Sequence, residues 1–152
     1  MIQRIQTILL LLVAVLMVVT CFSPLIAIAD GEKFVSTFYP FGIFRLIEPL
    51  SYTWGVIFMA ALSALLAFVN IFLYKKRKQQ IKICLITALL IVFYYVTTMV
   101  YLTTYLNKIP TEYTLSIQFG IIIPVVALIL DLLAMNKIKK DEKLVRSLDR
   151  IR

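Results

Sequence analysis

Apolar residues in this chain come in four long blocks, at about 5–29, 52–74, 83–106 and 115–135. The stretches between them are basic, polar or aromatic. Each block is near the ~20 residues that a helix needs to cross a bilayer. The pattern predicts an all-α integral membrane protein with four transmembrane helices, a single membrane domain over 1–152. A cytoplasmic tail at 136–152 follows the fourth span, and no length is left for a soluble domain. The overall content agrees: 62% of 152 residues are hydrophobic, against about 45–50% in soluble domains.

Charge orients the four blocks. Of 16 Lys and Arg residues, 13 fall on one side of the predicted membrane: Arg4, the five in 75–82, and the seven after Asn136. Cytoplasmic loops carry such an excess, so both termini and the middle loop are predicted inside, at a bacterial inner membrane. The net charge of +8 then points to anionic headgroups at 75–82 and 137–152 as the partner, with the bilayer itself. Nucleic acid is not expected.

The first block begins after Arg4 and ends at Ala27-Ile28-Ala29, which imitates a signal peptide. Val18-Val19-Thr20-Cys21 faintly imitates a lipoprotein box. Both readings stand against the length of the apolar run, since signal peptides carry only about 7–15 such residues. An uncleaved anchor is the expectation, loosened by Pro24 near its outer end. Residues 30–51 form the longest loop and are rich in Phe and Tyr. Extended segments at 33–39 and 43–47 flank Pro40-Phe41-Gly42, which is turn chemistry. The loop reads as an outer β-hairpin or flat cap, serving as an aromatic anchor at the headgroups or as a recognition surface.

Inside the blocks, polar residues are scarce. Ala60, Ser63, Ala64 and Ala67 form a small-residue face that lets helices approach closely, and Asn70 continues it. Tyr94, Thr97 or Thr98, Tyr101 and Thr104 or Tyr105 make a polar stripe on the third span. It is either a packing face or a groove open to the outer side. On the fourth span Gly120, Pro124, Ala127 and Asp131 share a face, and Pro124 is expected to kink the helix. Asp131 is the only acid within any block. Such a group needs a partner or a function. Arg4, Asn70 and the middle-loop lysines are the candidate partners.

No Gly or Pro stops the fourth span, so one helix is expected from about 115 through 147. Ile138, Val145, Leu148 and Ile151 keep helical spacing in the charged tail. They form a candidate interaction face for lipid, a protein partner or a second copy of the chain.

The ends of the chain are its most distinctive parts. Met1-Ile2-Gln3-Arg4-Ile5-Gln6-Thr7, and the tail from Lys139-Lys140-Asp141-Glu142-Lys143 to Arg150-Ile151-Arg152, resemble a family of small four-span inner-membrane proteins of Bacteroidetes. That family is classified only as a domain of unknown function. The resemblance implies a location and a four-helix architecture, with no activity to carry over.

Chemistry narrows the remaining options. The chain has no histidine, no paired carboxylates within a span, and two cysteines, Cys21 and Cys84, predicted in opposite leaflets. These exclude a disulfide and leave no metal cluster and no catalytic set. No enzyme, cofactor or metal site is expected. A transporter would place a charge near the midplane, whereas Asp131 lies about one turn from an end. The expected role is a structural or interaction component of the envelope. The alternative is small-solute or ion transport, with assembly of several copies as one route to it.

Overall fold

The computed structural model describes residues 2–30, 34–44, 51–74, 76–108 and 113–149. Four helices dominate it: α1 (Ile2–Phe22), α2 (Trp54–Phe72), α3 (Arg77–Leu106) and α4 (Ile123–Asp149). All four are long and apolar enough to cross a membrane. α1 packs on α2 and α4, and α3 packs on the same two, so the four close into a ring.

The helix faces are inverted relative to a water-soluble protein. α2 buries Ala60, Ser63, Ala64, Ala67 and Asn70. α3 buries Gln80, Cys84, Thr87, Ala88 and Thr98 among others. The outward faces carry Phe58, Phe68, Leu85, Leu89, Phe93 and Met99, all exposed. A helix in water buries its apolar side. A helix in lipid gains nothing by that, and packs through small and polar residues instead. The surroundings these faces fit are hydrocarbon, and the chain reads as a multi-pass membrane protein. The buried threonines keep their hydroxyls satisfied locally: Thr20 donates to Leu16 O at 2.8 Å, Thr87 to Ile83 O at 3.0 Å and Thr98 to Tyr94 O at 2.7 Å.

One end of the ring is covered by a five-stranded antiparallel sheet, in the order β4-β3-β2-β1-β5. Its strands are β1 (Ile26–Asp30), β2 (Phe34–Tyr39), β3 (Gly42–Phe44), β4 (Ser51–Tyr52) and β5 (Tyr113–Ile117). β2 and β3 form a hairpin around Pro40 and Phe41, pairing Phe38 with Ile43. The extended reading at 45–47 lies outside the described residues. Ile26, Ile28, Ser36, Phe38 and Ile43 share the buried face of the sheet. Side-chain hydrogen bonds fasten this end of the ring together. Tyr105 OH meets Ser36 Oγ at 3.1 Å. Thr53 Oγ1 donates to Pro40 O at 2.8 Å. Tyr95 OH donates to Ile121 O at 2.6 Å, in the short 3-10 turn Phe119–Ile121 before α4.

Two predicted spans are shorter than their apolar blocks. The first was expected over 5–29, but α1 stops at Phe22 and the block continues as β1. Pro24 ends the helix rather than bending it, because proline and the residue before it both resist helical continuation. The fourth was expected from 115, but 113–117 is β5 and α4 begins at Ile123. Pro124 therefore sits in the first turn of α4, where no N–H partner is needed, and makes no mid-helix kink. The basic stretch expected as a loop at 75–82 is mostly the start of α3, which begins at Arg77.

Candidate functional site

The polar interior collects at the end of the ring opposite the sheet, where α2 turns into α3. Asn70 is fully buried near the end of α2. Its Nδ2 donates to Gln80 O at 3.3 Å and to Cys84 Sγ at 3.1 Å. Gln80 Nε2 donates back to Asn70 O at 3.2 Å. Leu73 N donates to the same Asn70 carbonyl at 3.2 Å. This reciprocal clamp holds the tight turn between the two helices and faces Cys84 inward from α3.

Asp131 comes from α4 and lies beside the Cys84 thiol. It is 1% exposed, yet neither carboxyl oxygen receives a hydrogen bond. Asn70 Oδ1 is likewise buried without a partner. Three orphan oxygens therefore flank one thiol. Leu10, Ala134 and Ile138 pack with Cys84 as an apolar plug at the foot of this cluster. Below the plug is a second polar tier. Gln6 Nε2 donates to Asp141 Oδ2, and Arg77 Nη1 donates to Asp141 O at 3.0 Å. The two tiers are separated by ten residues of α4, about 15 Å along its axis.

The sequence candidates divide accordingly. Asn70 and Asp131 are brought to one cluster, through Cys84 rather than by direct contact. The side chain of Arg4 lies outside the described residues, and Lys76, Lys78 and Lys82 of the middle stretch are exposed. Tyr94 and Thr98 are buried toward the sheet end, with Tyr94 OH unpartnered. Tyr101 packs its ring at 3.1 Å from the position a Cβ would take on Gly55. Within the stripe on α3, Tyr94 and Thr98 are buried, Tyr101 and Tyr105 are half-buried and Thr104 is exposed. Of the tail candidates, Ile138 is fully buried in the plug, which removes it from the interaction face. Its apolar side chain sits where α4 still packs on α1. Val145 is exposed. The side chain of Leu148, and Ile151, lie outside the described residues.

Sequence reasoning missed Gln80, the polar setting of Cys84, and the Gln6–Asp141 pair. Gln80 had a signal: it is uncharged amid a basic run. Gln6 and Asp141 had none, being 135 residues apart. Among the described residues, no group of three or more His, Cys, Asp or Glu could hold a metal. An open groove of about 630 Å³ between α1 and α2, lined by residues such as Val15, Val18, Leu65 and Phe68, offers one thiol, Cys21, and otherwise hydrocarbon.

Residues 2–151 match the family model described as a domain of unknown function, DUF4293. The chain belongs to this family. No curated protein matches it. The DUF4293 match takes in the sheet, all four helices and both polar tiers, so the elements described above lie within a single family unit.

Proposed function

We propose that this DUF4293 chain is a non-enzymatic structural or interaction component of a bacterial inner membrane, with both termini cytoplasmic and the sheet on the outer side. The observation that carries the reading is the free edge of the sheet. All five residues of β5 are exposed, and no described strand pairs with its outer side. The orientation of its backbone follows from one bond. Gln118 N donates to Leu25 O at 2.9 Å. Strand alternation then turns the N–H groups of Ser116 and Thr114 toward β1, and those of Ile117, Leu115 and Tyr113 outward. An unpaired row of this kind accepts an extended segment as a further strand. The segment would come from an envelope protein or a second copy of the chain. The apolar side chains of Tyr113, Leu115 and Ile117 lie on the helix-facing side of the sheet, by register with Ile26 and Ile28, which suits contact with the bilayer.

Proline separates the two sides of β5, because it removes one donor only. Leu115→Pro removes an outward N–H and spares the β1 ladder. Native co-purification after mild detergent extraction should lose a partner in Leu115→Pro and keep it in Leu115→Thr, at equal folded yield. Unchanged recovery in the proline variant overturns the edge reading.

A second reading, passage of a small solute or ion through an assembly of copies, is favoured by the unpartnered Asp131 carboxyl. Asp131→Asn should then assemble normally and lose flux in proteoliposomes. Flux equal to that of the unmodified protein removes this reading.

A further inference from the structure

A buried carboxyl with no hydrogen bond is costly as an anion. An isolated charge in a medium without water is disfavoured by far more than one hydrogen bond can offset. Among the described residues, the groups around Asp131 offer no counter-charge. α1 carries no titratable side chain between Gln6 and Cys21, and α2 carries none over Trp54–Phe72. α4 carries none besides Asp131 between Ile123 and Asn136. On α3 the neighbour is Cys84, with Lys82 exposed two residues before it and Tyr94 nearly three turns beyond. The unpartnered atoms nearby are all acceptors: Asp131 Oδ1 and Oδ2, and Asn70 Oδ1. What such a set lacks is a positive ligand. A hard metal ion takes six or more oxygens, and three fall short. A proton needs two acceptors, one to hold it and one to receive its hydrogen bond.

We propose that the Asn70–Cys84–Asp131 cluster is a proton-binding site within the membrane-spanning region, in which the Asp131 carboxyl holds the proton. Cys84 Sγ is the acceptor beside the carboxyl, and Asn70, whose Nδ2 donates to that sulfur, carries the other free acceptor of the cluster. The Asn70–Gln80 clamp fixes both of them in place, since it sets the Asn70 amide and the first turns of α3 together. The apolar plug of Leu10, Ala134 and Ile138 separates the site from the Gln6–Asp141–Arg77 tier. The proton is therefore shut off from that tier in this conformation. The site involves no residue of β5, so its test and the edge-strand test fail independently.

Infrared spectroscopy of the purified full chain in lipid vesicles tests this directly. At neutral pH the spectrum should contain the C=O stretch of a neutral carboxylic acid, at one group per chain. Asp131→Asn should abolish it, and Asn70→Ala should move it to higher frequency by removing an acceptor. Raising the pH should bleach the band in the unmodified protein. Where Asp131→Asn fails to fold, carboxyl-¹³C aspartate in the unmodified chain serves instead, since only four aspartates are present. One labelled carboxyl should show the signal of a neutral acid at neutral pH. Four ionised carboxyls, or no acid band in folded protein, overturn the proposal. A band that Asn70→Ala and Cys84→Ser both leave unmoved overturns the assignment of the acceptors.

Discussion

Gly120 shows how far one residue can decide a junction. A Cβ built there would lie 2.2 Å from Pro24 O, a backbone atom that cannot swing aside. Gly120 N also donates to that oxygen at 3.1 Å. The segment after α1 and the 3-10 turn before α4 meet there through a main-chain hydrogen bond, with the Ser23 side chain alongside. Gly120→Ala should destabilise the protein by at least about 3 kcal/mol, read as lost folded yield or a lowered Tm in detergent; a normal Tm would mean that the two segments do not meet. At the other end Ile138 is the comparable residue. Ile138→Ala should cost about 2 kcal/mol, the low end for such truncations, because the unfolded chain keeps the side chain in lipid. Val145→Ser should leave Tm unchanged. Equal effects from the two variants would return Ile138 to the exposed face of the tail.

At the scale of elements, the sheet and the helices are joined by few bonds, and Thr53 is the most economical of them. It sits just before α2, and its hydroxyl reaches Pro40 O at 2.8 Å and Tyr39 O at 3.3 Å. The hairpin turn is thereby fastened to the helix N-terminus. Thr53→Val keeps the shape and removes the donor, and should cost about 1 kcal/mol. Amide exchange should then accelerate in β2 and β3 while the helix interiors stay protected. Uniform acceleration across all helices would show that the sheet is part of one cooperative unit. Beside this turn Tyr39, Phe41 and Phe44 pack with ring centroids 5.4 Å apart, and Tyr52 stacks on Trp54 at 5.7 Å. Such a group suits the level of the headgroups, where aromatic rings have an apolar body and a wet edge.

At the scale of the whole molecule, the sheet and the basic ends lie at opposite poles of the ring. Thr37 belongs to β2, and Gln79 is exposed in the first turn of α3. With Cys21 and Cys84 both buried, single cysteines introduced at these two positions report sidedness with little background. In intact cells an impermeant thiol reagent should reach Thr37→Cys and not Gln79→Cys. Labelling of both from outside would overturn the proposed topology, and labelling of Gln79→Cys alone would invert it.

The sequence alone determined the number of helices, their approximate places, the turn at Pro40-Phe41-Gly42 and the absence of a break between the fourth span and the tail. Those features are local: a run of apolar residues, a proline next to a glycine, a missing helix stop. It did not determine where the first helix ends or where the fourth begins. β1 and most of β5 lie within the apolar blocks of the spans they adjoin, and what makes them strands is their pairing with each other and with β2, partners that no local window contains. The site divides in the same way. Asp131 and Asn70 stood out because polar groups in apolar blocks are expensive wherever they point. That both meet at Cys84, that Gln80 locks Asn70, and that Ile138 turns inward depends on how four helices rotate against one another. Each helix presents a face in its sequence, and only packing decides which neighbour that face meets.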